Sequence, residues 1–439
     1  MTTKSTTAWT LALLCAACGG AQKTSSREMT ELGRKAPPPP SNVTPGQKVE
    51  RNVSSEAKSD FASAVAHFQA QDKAGWTNDK CGAAADRFLA VASSHDKLIE
   101  AYYNAGVSYQ KCGDAKNAEG MYKKAVGINP SHAPSLANLG EIYFRAGNDD
   151  TAKQYFEQAI KADPKITAAR NNLAWIFYTS LRGGGDKRWE DEALGQLSRV
   201  LAVDNDNIVA YTIMALVYME GSEKNRSRLD LARLLLDEGK KRNDKYAPLY
   251  NAWGLLYMKR ANVGQALEQF RRAVELDNGF LEARMNVAQI VLSFRKYQEA
   301  KDNFEFVLGK SAPKEMKYDA TVGLGVALRG LKQIPDAQAK YEEAMKILPE
   351  RGDAYYNMGL LYKDFMTNDP DPKENKKAYA KAKTYFQQYL GKGQGSAEKK
   401  EEAKDNIDDC EKTIAALDLA IEQMSQQPPP APAPAPAPK

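Results

Sequence analysis

Histidine and cysteine, the residues that catalytic and metal sites use most, are scarce in this sequence. Only three of its 439 residues are histidines and five are cysteines. His67, His95 and His132 stand in separate segments, with no acidic or cysteine partner at a spacing that catalysis or metal binding uses. We therefore expect no enzymatic activity, no metal site and no cofactor.

The sequence also lacks an excess of either charge. Lysine and arginine number 61 against 56 aspartates and glutamates, which gives a net charge of +5 with the two signs interspersed. Nucleic-acid binding needs a concentrated basic surface, so we predict no nucleic-acid partner. The glycine-rich run Arg182–Asp186 lacks the lysine and hydroxyl residue that end a phosphate-binding loop. We predict no small-molecule substrate.

Long hydrophobic runs are absent as well, apart from a short one near the start. Lys4 is followed by the apolar stretch Ala8–Ala17, which is too short to span a bilayer and is typical of a signal peptide. No second apolar segment reaches spanning length. Any attachment to a membrane would therefore need a lipid.

The end of this segment resembles the bacterial lipoprotein signal. Two alanines precede Cys18 in the run CAACGG, and a polar linker follows. The resemblance implies cleavage before Cys18, which would then carry the lipid anchor. The residue after Cys18 is Gly19 and not aspartate. By similarity to the sorting of enterobacterial lipoproteins, this implies that the protein is sent to the outer membrane. The alternative is an ordinary secretory signal, cut after Ala17 or between Cys18 and Gly20.

A repeat fills most of the chain. Residues 99–132 and 133–166 align without gaps over a 34-residue period, with shared glycine, tyrosine, alanine, aromatic and proline positions. Residues such as Gly140 and Tyr143 recur at three- and four-residue spacing, which indicates two amphipathic helices in each unit. Neither helix buries its apolar face alone, so the units must stack.

This order of small, aromatic and proline residues resembles the tetratricopeptide repeat (TPR). The resemblance implies an all-α fold, an α-solenoid wound as a right-handed TPR superhelix of about nine helical hairpins with a C-terminal capping helix. We assign residues 1–18 to a signal peptide, 19–57 to a disordered tether, 58–395 to the repeats, 396–425 to the capping helix and 426–439 to a disordered tail rich in alanine and proline.

Three cysteines remain after the signal segment. Cys81 opens the second helix of the first unit and Cys112 closes the first helix of the second, and these helix ends lie side by side in stacked hairpins. We therefore predict a Cys81–Cys112 disulfide, formed in an oxidising periplasm. The alternative is two small helix-end residues that never pair. Cys410 is predicted to be a packing residue of the capping helix.

In the repeat family that this chain resembles, the first helix of each unit lines the concave face. The repeat register places a recurrent asparagine there, whose amide can both donate to and accept from the backbone of a bound peptide. The middle units add apolar residues that suit a partner helix. The alternatives are solvated or turn-bonded asparagines and apolar residues packed in the core. The predicted groove residues are Asn104, Asn138, Asn172, Trp175, Tyr178, Leu216, Met219, Leu255, Met258, Asn286 and Asn357.

Together these features resemble the TPR lipoproteins of myxobacterial envelope machines, including that of the adventurous gliding-motility complex. The resemblance implies a non-enzymatic, lipid-anchored scaffold on the periplasmic face of the outer membrane, with envelope proteins as its partners. Two other functions stay open. One is a pilot lipoprotein for secretin or pilus assembly, and the other is a tether or regulator of a polysaccharide or peptidoglycan enzyme.

Overall fold

The computed structural model describes residues 53–95, 98–184 and 186–426. The expected signal peptide with its lipid-anchor Cys18 lies outside these ranges, as do most of the expected tether and tail. The described secondary structure is entirely α-helical and comprises nineteen helices. Within the same ranges, no helix is both long enough and apolar enough to cross a bilayer.

The helices follow one another along the chain without an intervening strand in the described part. In order they are α1 Ser55–Ala74, α2 Asn78–Ser94, α3 Ile99–Lys111, α4 Ala115–Ile128, α5 Ala133–Arg145, α6 Asp149–Ala162, α7 Thr167–Arg182, α8 Arg188–Val203, α9 Ile208–Met219, α10 Arg228–Arg242, α11 Ala247–Lys259, α12 Val263–Leu276, α13 Leu281–Ser293, α14 Tyr297–Leu308, α15 Lys314–Gly330, α16 Ile334–Ile347, α17 Asp353–Phe365, α18 Pro372–Gly391 and α19 Ala397–Gln426.

Helices α1 to α18 pair in sequence as nine hairpins, and α19 follows as a single long helix. Helix α1 begins at Ser55, inside the predicted tether 19–57. The Ser54 hydroxyl accepts a hydrogen bond from the Ala57 amide at 3.1 Å and so caps this helix. Only Ala57 and Ala64 of α1 are buried, so its apolar pattern is too sparse to mark the start of the helix in the sequence.

The described chain divides into two compact units between Asn286 and Val287, with residues 311–313 grouped with the first. In the first unit, one buried core extends from α4 to α11 and a smaller one joins α1, α2 and α3. In the second unit, a core joins α15, α16 and the start of α17. Each unit thus buries the apolar faces of successive hairpins against one another.

A contact between a glycine and an aromatic ring fixes how closely the two helices of a hairpin approach. A Cβ atom built on Gly140 would lie 2.6 Å from the Phe156 ring, and one on Gly254 would lie 2.4 Å from the Phe270 ring. The ring therefore lies directly on the backbone of the first helix. The same arrangement recurs at Gly106 with Tyr122, Gly325 with Tyr341, and Gly359 with Phe386.

The turn inside a hairpin uses the left-handed region of the backbone. Gly147 has a φ of +80°, and the Asn148 side chain next to it caps the following helix. The equivalent residues Ala261, Arg295 and Lys332 have φ values of 58°, 58° and 62°. This conformation costs a residue with a Cβ atom about 1–2 kcal/mol. The packing of the hairpins therefore holds these three turns against their local preference.

A disulfide ties the first hairpin to the second. Cys81 lies in the first turn of α2, Cys112 directly follows α3, and their Cα atoms are 6.2 Å apart. This separation falls within the range that a disulfide spans. Since α1 contributes few buried residues, the bond holds in place a hairpin whose own apolar contacts are limited.

Helix α19 packs along α18 in the second unit. Its buried residues are Ala403, Asn406 and Cys410, and the Cys410 thiol is free. The Lys363 ammonium of α17 donates to the Asn406 side chain at 2.6 Å and pairs with Asp409 at 3.0 Å. Small and polar side chains therefore make this contact, and the outer face of the helix stays charged.

We expect Gly254→Ala to destabilise the protein by about 1–3 kcal/mol, because the added methyl group would overlap the Phe270 ring. Gly264→Ala in α12 is the matched control, because its Cβ atom would meet nothing within 4 Å and the change should be neutral or stabilising. Urea unfolding followed by circular dichroism measures both variants. Equal stability of the two would contradict a structural role for the ring contact.

Candidate functional site

One cavity in the first unit gathers side chains from the first helices of successive hairpins. It has a volume of about 580 Å³ and is lined by α5, α7, α9, α11, the first turns of α13, and residues just before α11 and α13. Each of these helices packs its glycine- or alanine-bearing side on its own second helix. A different side of the same helices is therefore left to form the cavity wall.

Six of the predicted groove residues line this cavity. Asn172 and Asn286 occupy the recurrent asparagine position. Trp175, Leu216 and Leu255 directly follow the helix-packing residue, which is the glycine or alanine of the first helix that packs on the second. Tyr178 stands four residues after that glycine or alanine. These six are Asn172, Trp175, Tyr178, Leu216, Leu255 and Asn286. The structure thus brings together the predicted residues of the middle hairpins, from the fourth to the start of the seventh.

The remaining predicted asparagines lie outside the cavity. The amides of Asn104 and Asn357 each donate to a backbone carbonyl one turn earlier in their own helix, at 2.8 and 2.9 Å. The Asn138 amide bonds instead with the side chains of Tyr103 and Tyr122. An asparagine amide that is hydrogen-bonded to its own helix or to a neighbouring tyrosine is not directed towards the cavity.

The prediction that Met219 faces the groove is wrong. Met219 is only 1 % exposed and belongs to the buried core of the first unit. Met258, at the equivalent position of α11, is partly exposed but does not line the cavity. With 3.6 residues per turn, a residue four positions after the packing alanine or glycine lies close to the same side of the helix. Met219 therefore belongs to the core, as does the 3 % exposed Tyr178 at the equivalent position of α7, which reaches the cavity only with its small exposed part.

The apolar part of the wall centres on Trp175. Its ring lies 5.3 Å from that of Tyr178, measured between centroids. Tyr178 is only 3 % exposed, so the Trp175 ring packs against a largely buried neighbour. Leu216 is 7 % exposed, whereas Trp175 and Leu255 are half-buried and offer accessible apolar surface. This part of the cavity suits apolar side chains of an occupant.

Amides form a second part of the wall. The Asn286 amide donates to Asn251 Oδ1 at 2.9 Å, and the Asn171 amide donates to Asn207 Oδ1 at 3.0 Å. Asn171 is 7 % exposed, yet its own Oδ1 accepts no hydrogen bond from any residue that the structure describes. A buried carbonyl without a donor is unfavourable. An occupant that brings an N–H group would satisfy it.

Asn171 and Asn251 were not predicted, although the sequence carries a signal for them. Both stand three residues before the helix-packing position, and Thr212 is their equivalent in the hairpin between them. All three line the cavity. In the other hairpins from the second to the ninth, the same position is apolar or aromatic: Tyr103, Ala137, Met285, Val322 and Tyr356. A polar residue at this position therefore distinguishes the three hairpins at the centre of the cavity.

Glu282 places a carboxyl group in the same cavity. Its Oε2 atom is buried and accepts no hydrogen bond within the described part of the chain. Burial raises the pKa of Glu282 to about 7, a hydrogen bond from its own backbone N–H lowers it, and the charge of Asp277 raises it. Glu282 could not be singled out from the sequence, because an acidic residue in the first turn of a helix is common.

Glu282 makes the stability of the protein depend on pH. Its pKa is about 7 when folded against an ordinary 4.5, so the folded state binds the proton more tightly. Stability should therefore fall as the pH rises from about 4.5 through 7, by at most about 3 kcal/mol. Glu282→Gln should match the wild type near pH 4.5 and exceed it at pH 8 in thermal unfolding.

The exposed Glu268 of α12 provides the control for this measurement. Glu268→Gln should leave the pH dependence of the wild-type protein unchanged. If Glu282→Gln follows the wild-type curve from pH 4.5 to 8, the Glu282 carboxyl group is not buried in the folded protein and its assignment to the cavity wall is wrong.

Comparison with known families finds the tetratricopeptide repeat at three places. One repeat profile matches residues 97–165, and a second matches residues 137–207 and 251–305. A profile described as the plant-specific mitochondrial import receptor subunit TOM20 matches residues 327–420. No curated protein matches the chain.

Several solved structures are similar in fold. A human IFIT1 dimer with PPP-AAAA is 16% identical, covers 79% of this chain and 78% of its own, and superposes with a TM-score of 0.51. Yeast Tom70 is 16% identical over 83% of this chain and 69% of its own, with a TM-score of 0.46. A thermophilic TPR protein of Thermus thermophilus is 23% identical over 44% of this chain and 98% of its own, with a TM-score of 0.38.

The repeat profiles cover hairpins on both sides of the cavity, and the all-helical architecture is of the same kind as that of the human IFIT1 structure. The general role that the TPR fold suggests is that of a protein-interaction scaffold. The chain therefore carries tetratricopeptide repeats, and its fold is an all-α TPR solenoid.

Proposed function

We propose that this protein is a non-enzymatic scaffold that binds partner polypeptides in the cavity of its first unit. The observation that carries the proposal is the composition of the wall, where accessible apolar surface at Trp175 and Leu255 adjoins amide side chains. Apolar surface holds the side chains of a peptide, and amides can pair with its backbone N–H and C=O groups.

The shape of the site favours a polypeptide over a compact small molecule. Five helices from successive hairpins contribute to the wall, so its polar and apolar groups are spread along the chain of repeats. An extended segment or an amphipathic helix can contact such a series of groups at once. The apolar positions Trp175, Leu216 and Leu255 repeat once per hairpin, as a partner with periodic apolar side chains would require.

We further propose that the scaffold is anchored by lipid at Cys18 to the periplasmic face of the outer membrane. The run CAACGG after a short apolar segment supports this location. The Cys81–Cys112 disulfide agrees with it, because structural disulfides persist in oxidising compartments such as the periplasm and are rare in the cytosol. The residues between Cys18 and α1 would then space the repeats from the membrane.

The process that we propose for this scaffold is the assembly or operation of an envelope machine, with gliding motility as the specific case. Its support is the combination of a lipoprotein-like start, proline-rich flanking segments and nine hairpins, which resembles the TPR lipoproteins of myxobacterial envelope machines. The partners would be periplasmic or envelope proteins that present a segment to the cavity.

The cavity can be tested with a phage-displayed library of random twelve-residue peptides, panned against the purified full-length protein. We expect enriched peptides, and we expect Trp175→Ala to weaken their binding by about tenfold or more through lost apolar contact. Leu234→Ala is the control, because Leu234 is 58 % exposed on α10, away from the cavity. If no peptide is enriched, or if Trp175→Ala leaves the affinity of the enriched peptides unchanged, the cavity is excluded as a peptide site.

The lipid anchor is tested by growing bacteria that express the full-length chain with an alkyne-bearing palmitate. The protein should acquire the label and fractionate with the outer membrane, whereas Cys18→Ser should lose both properties. Cys410→Ser is the control, because this thiol is buried and should not carry a lipid. Labelling that persists in Cys18→Ser would show that the anchor is elsewhere.

A further inference from the structure

The unpaired polar atoms of the cavity wall are all hydrogen-bond acceptors. Among the described lining residues, Glu282 Oε2 and Asn171 Oδ1 are the buried side-chain atoms without a partner. Leaving a buried acceptor unpaired is costly, and more so for a carboxylate than for an amide. An occupant that fits this wall must therefore bring hydrogen-bond donors.

The arginines near the cavity already have other partners. Arg145 pairs with Glu141 at 2.6 Å, and Arg182 pairs with Glu220 at 3.5 Å. Arg284, two residues after Glu282, donates to the Asn278 carbonyl at 2.9 Å. Among the described residues, no cation contributes to the pKa shift of Glu282, so the positive charge that would pair with its carboxylate is left to an occupant.

The positions of the two acceptors indicate the kind of donor that reaches both. Asn171 is on α7 and Glu282 on α13, with α9 and α11 between them in the chain. Packed helix axes are roughly 8–10 Å apart, so one amino group does not serve both atoms. An extended polypeptide can offer a backbone N–H to the amide and a charged side chain to the carboxylate.

We propose that the cavity selects a polypeptide segment that places a lysine or arginine side chain against Glu282 and a backbone N–H group against Asn171 Oδ1. Trp175 and Leu255 hold apolar side chains of the same segment. This inference rests on the proposed function and specifies the chemistry of the partner. Glu282 is the residue that determines specificity, because its charge distinguishes a basic segment from other apolar peptides of the same shape.

The charge of the occupant also explains how a buried acid can be tolerated at this position. Without a cation, burial and the nearby Asp277 favour the protonated form of Glu282. A lysine or arginine against Oε2 favours the ionised form and supplies the missing donors. Binding should therefore release a proton when it occurs near neutral pH.

The peptide panning described above tests this inference when it is run with three proteins: wild type, Glu282→Gln, and the control Glu268→Gln. Peptides selected by wild type and by Glu268→Gln should share lysine or arginine at one position, and those selected by Glu282→Gln should not. Replacing that lysine by norleucine should weaken binding to wild type about tenfold to a hundredfold. The same replacement should have little effect on binding to Glu282→Gln.

Thermal unfolding at pH 4.5, where Glu282 is protonated in the folded state, confirms that Glu282→Gln is folded. A reversed pair adds a second measurement: Glu282→Lys should bind the selected peptide weakly and regain affinity when the peptide's basic residue becomes glutamate. Selected peptides without a basic position, or equal selection by Glu282→Gln, would overturn this inference and leave the peptide site intact. If wild type enriches no peptide, the proposed function itself fails.

Discussion

The close approach of a ring to a helix backbone is the constraint on which the hairpins depend. In five hairpins a glycine of the first helix receives the aromatic ring of the second, at a distance where a Cβ atom would overlap it. The fourth and fifth hairpins change both partners together: alanine replaces the glycine at Ala174 and Ala215, and leucine replaces the ring at Leu197 and Leu236. All four side chains are fully buried. The summed volume at the contact is thus kept, as tight packing requires.

This contact also decides which side of each first helix is free to bind. The glycine or alanine side of the first helix packs on the second helix. The next residue along the chain lies about 100° further around the first helix and therefore faces away from the second helix. Trp175, Leu216 and Leu255 all stand at that next position, and all line the cavity. Met219 stands three residues further on and is buried. The same packing that holds a hairpin together therefore sorts neighbouring residues into core and wall.

The sequence was sufficient to predict the hairpins but only part of the site. The 34-residue period carries the packing positions, so the number and kind of hairpins follow from Gly140, Phe156 and their equivalents. The site depends on residues that differ between repeats, whereas a periodic pattern identifies only the positions that the repeats share. Asn138 and Asn172 share one position, yet Asn138 bonds to Tyr103 and Tyr122, whereas the residues at the equivalent positions of the hairpin before Asn172 are Ala137 and Phe156. Glu282 was missed because an acidic residue in the first turn of a helix is common and does not by itself indicate burial.

The polar residues of the wall show how one repeated framework acquires a local function. Asn171, Thr212 and Asn251 replace the apolar or aromatic residue found at the same position in the other hairpins from the second to the ninth. A polar residue at this buried position lowers stability unless its hydrogen bonds are met. Thr212 meets this requirement within its own helix, and Asn171 meets it only in part. Since the substitutions are confined to three adjacent hairpins, their polar groups line one cavity, where a bound polypeptide can supply the donor that Asn171 Oδ1 lacks.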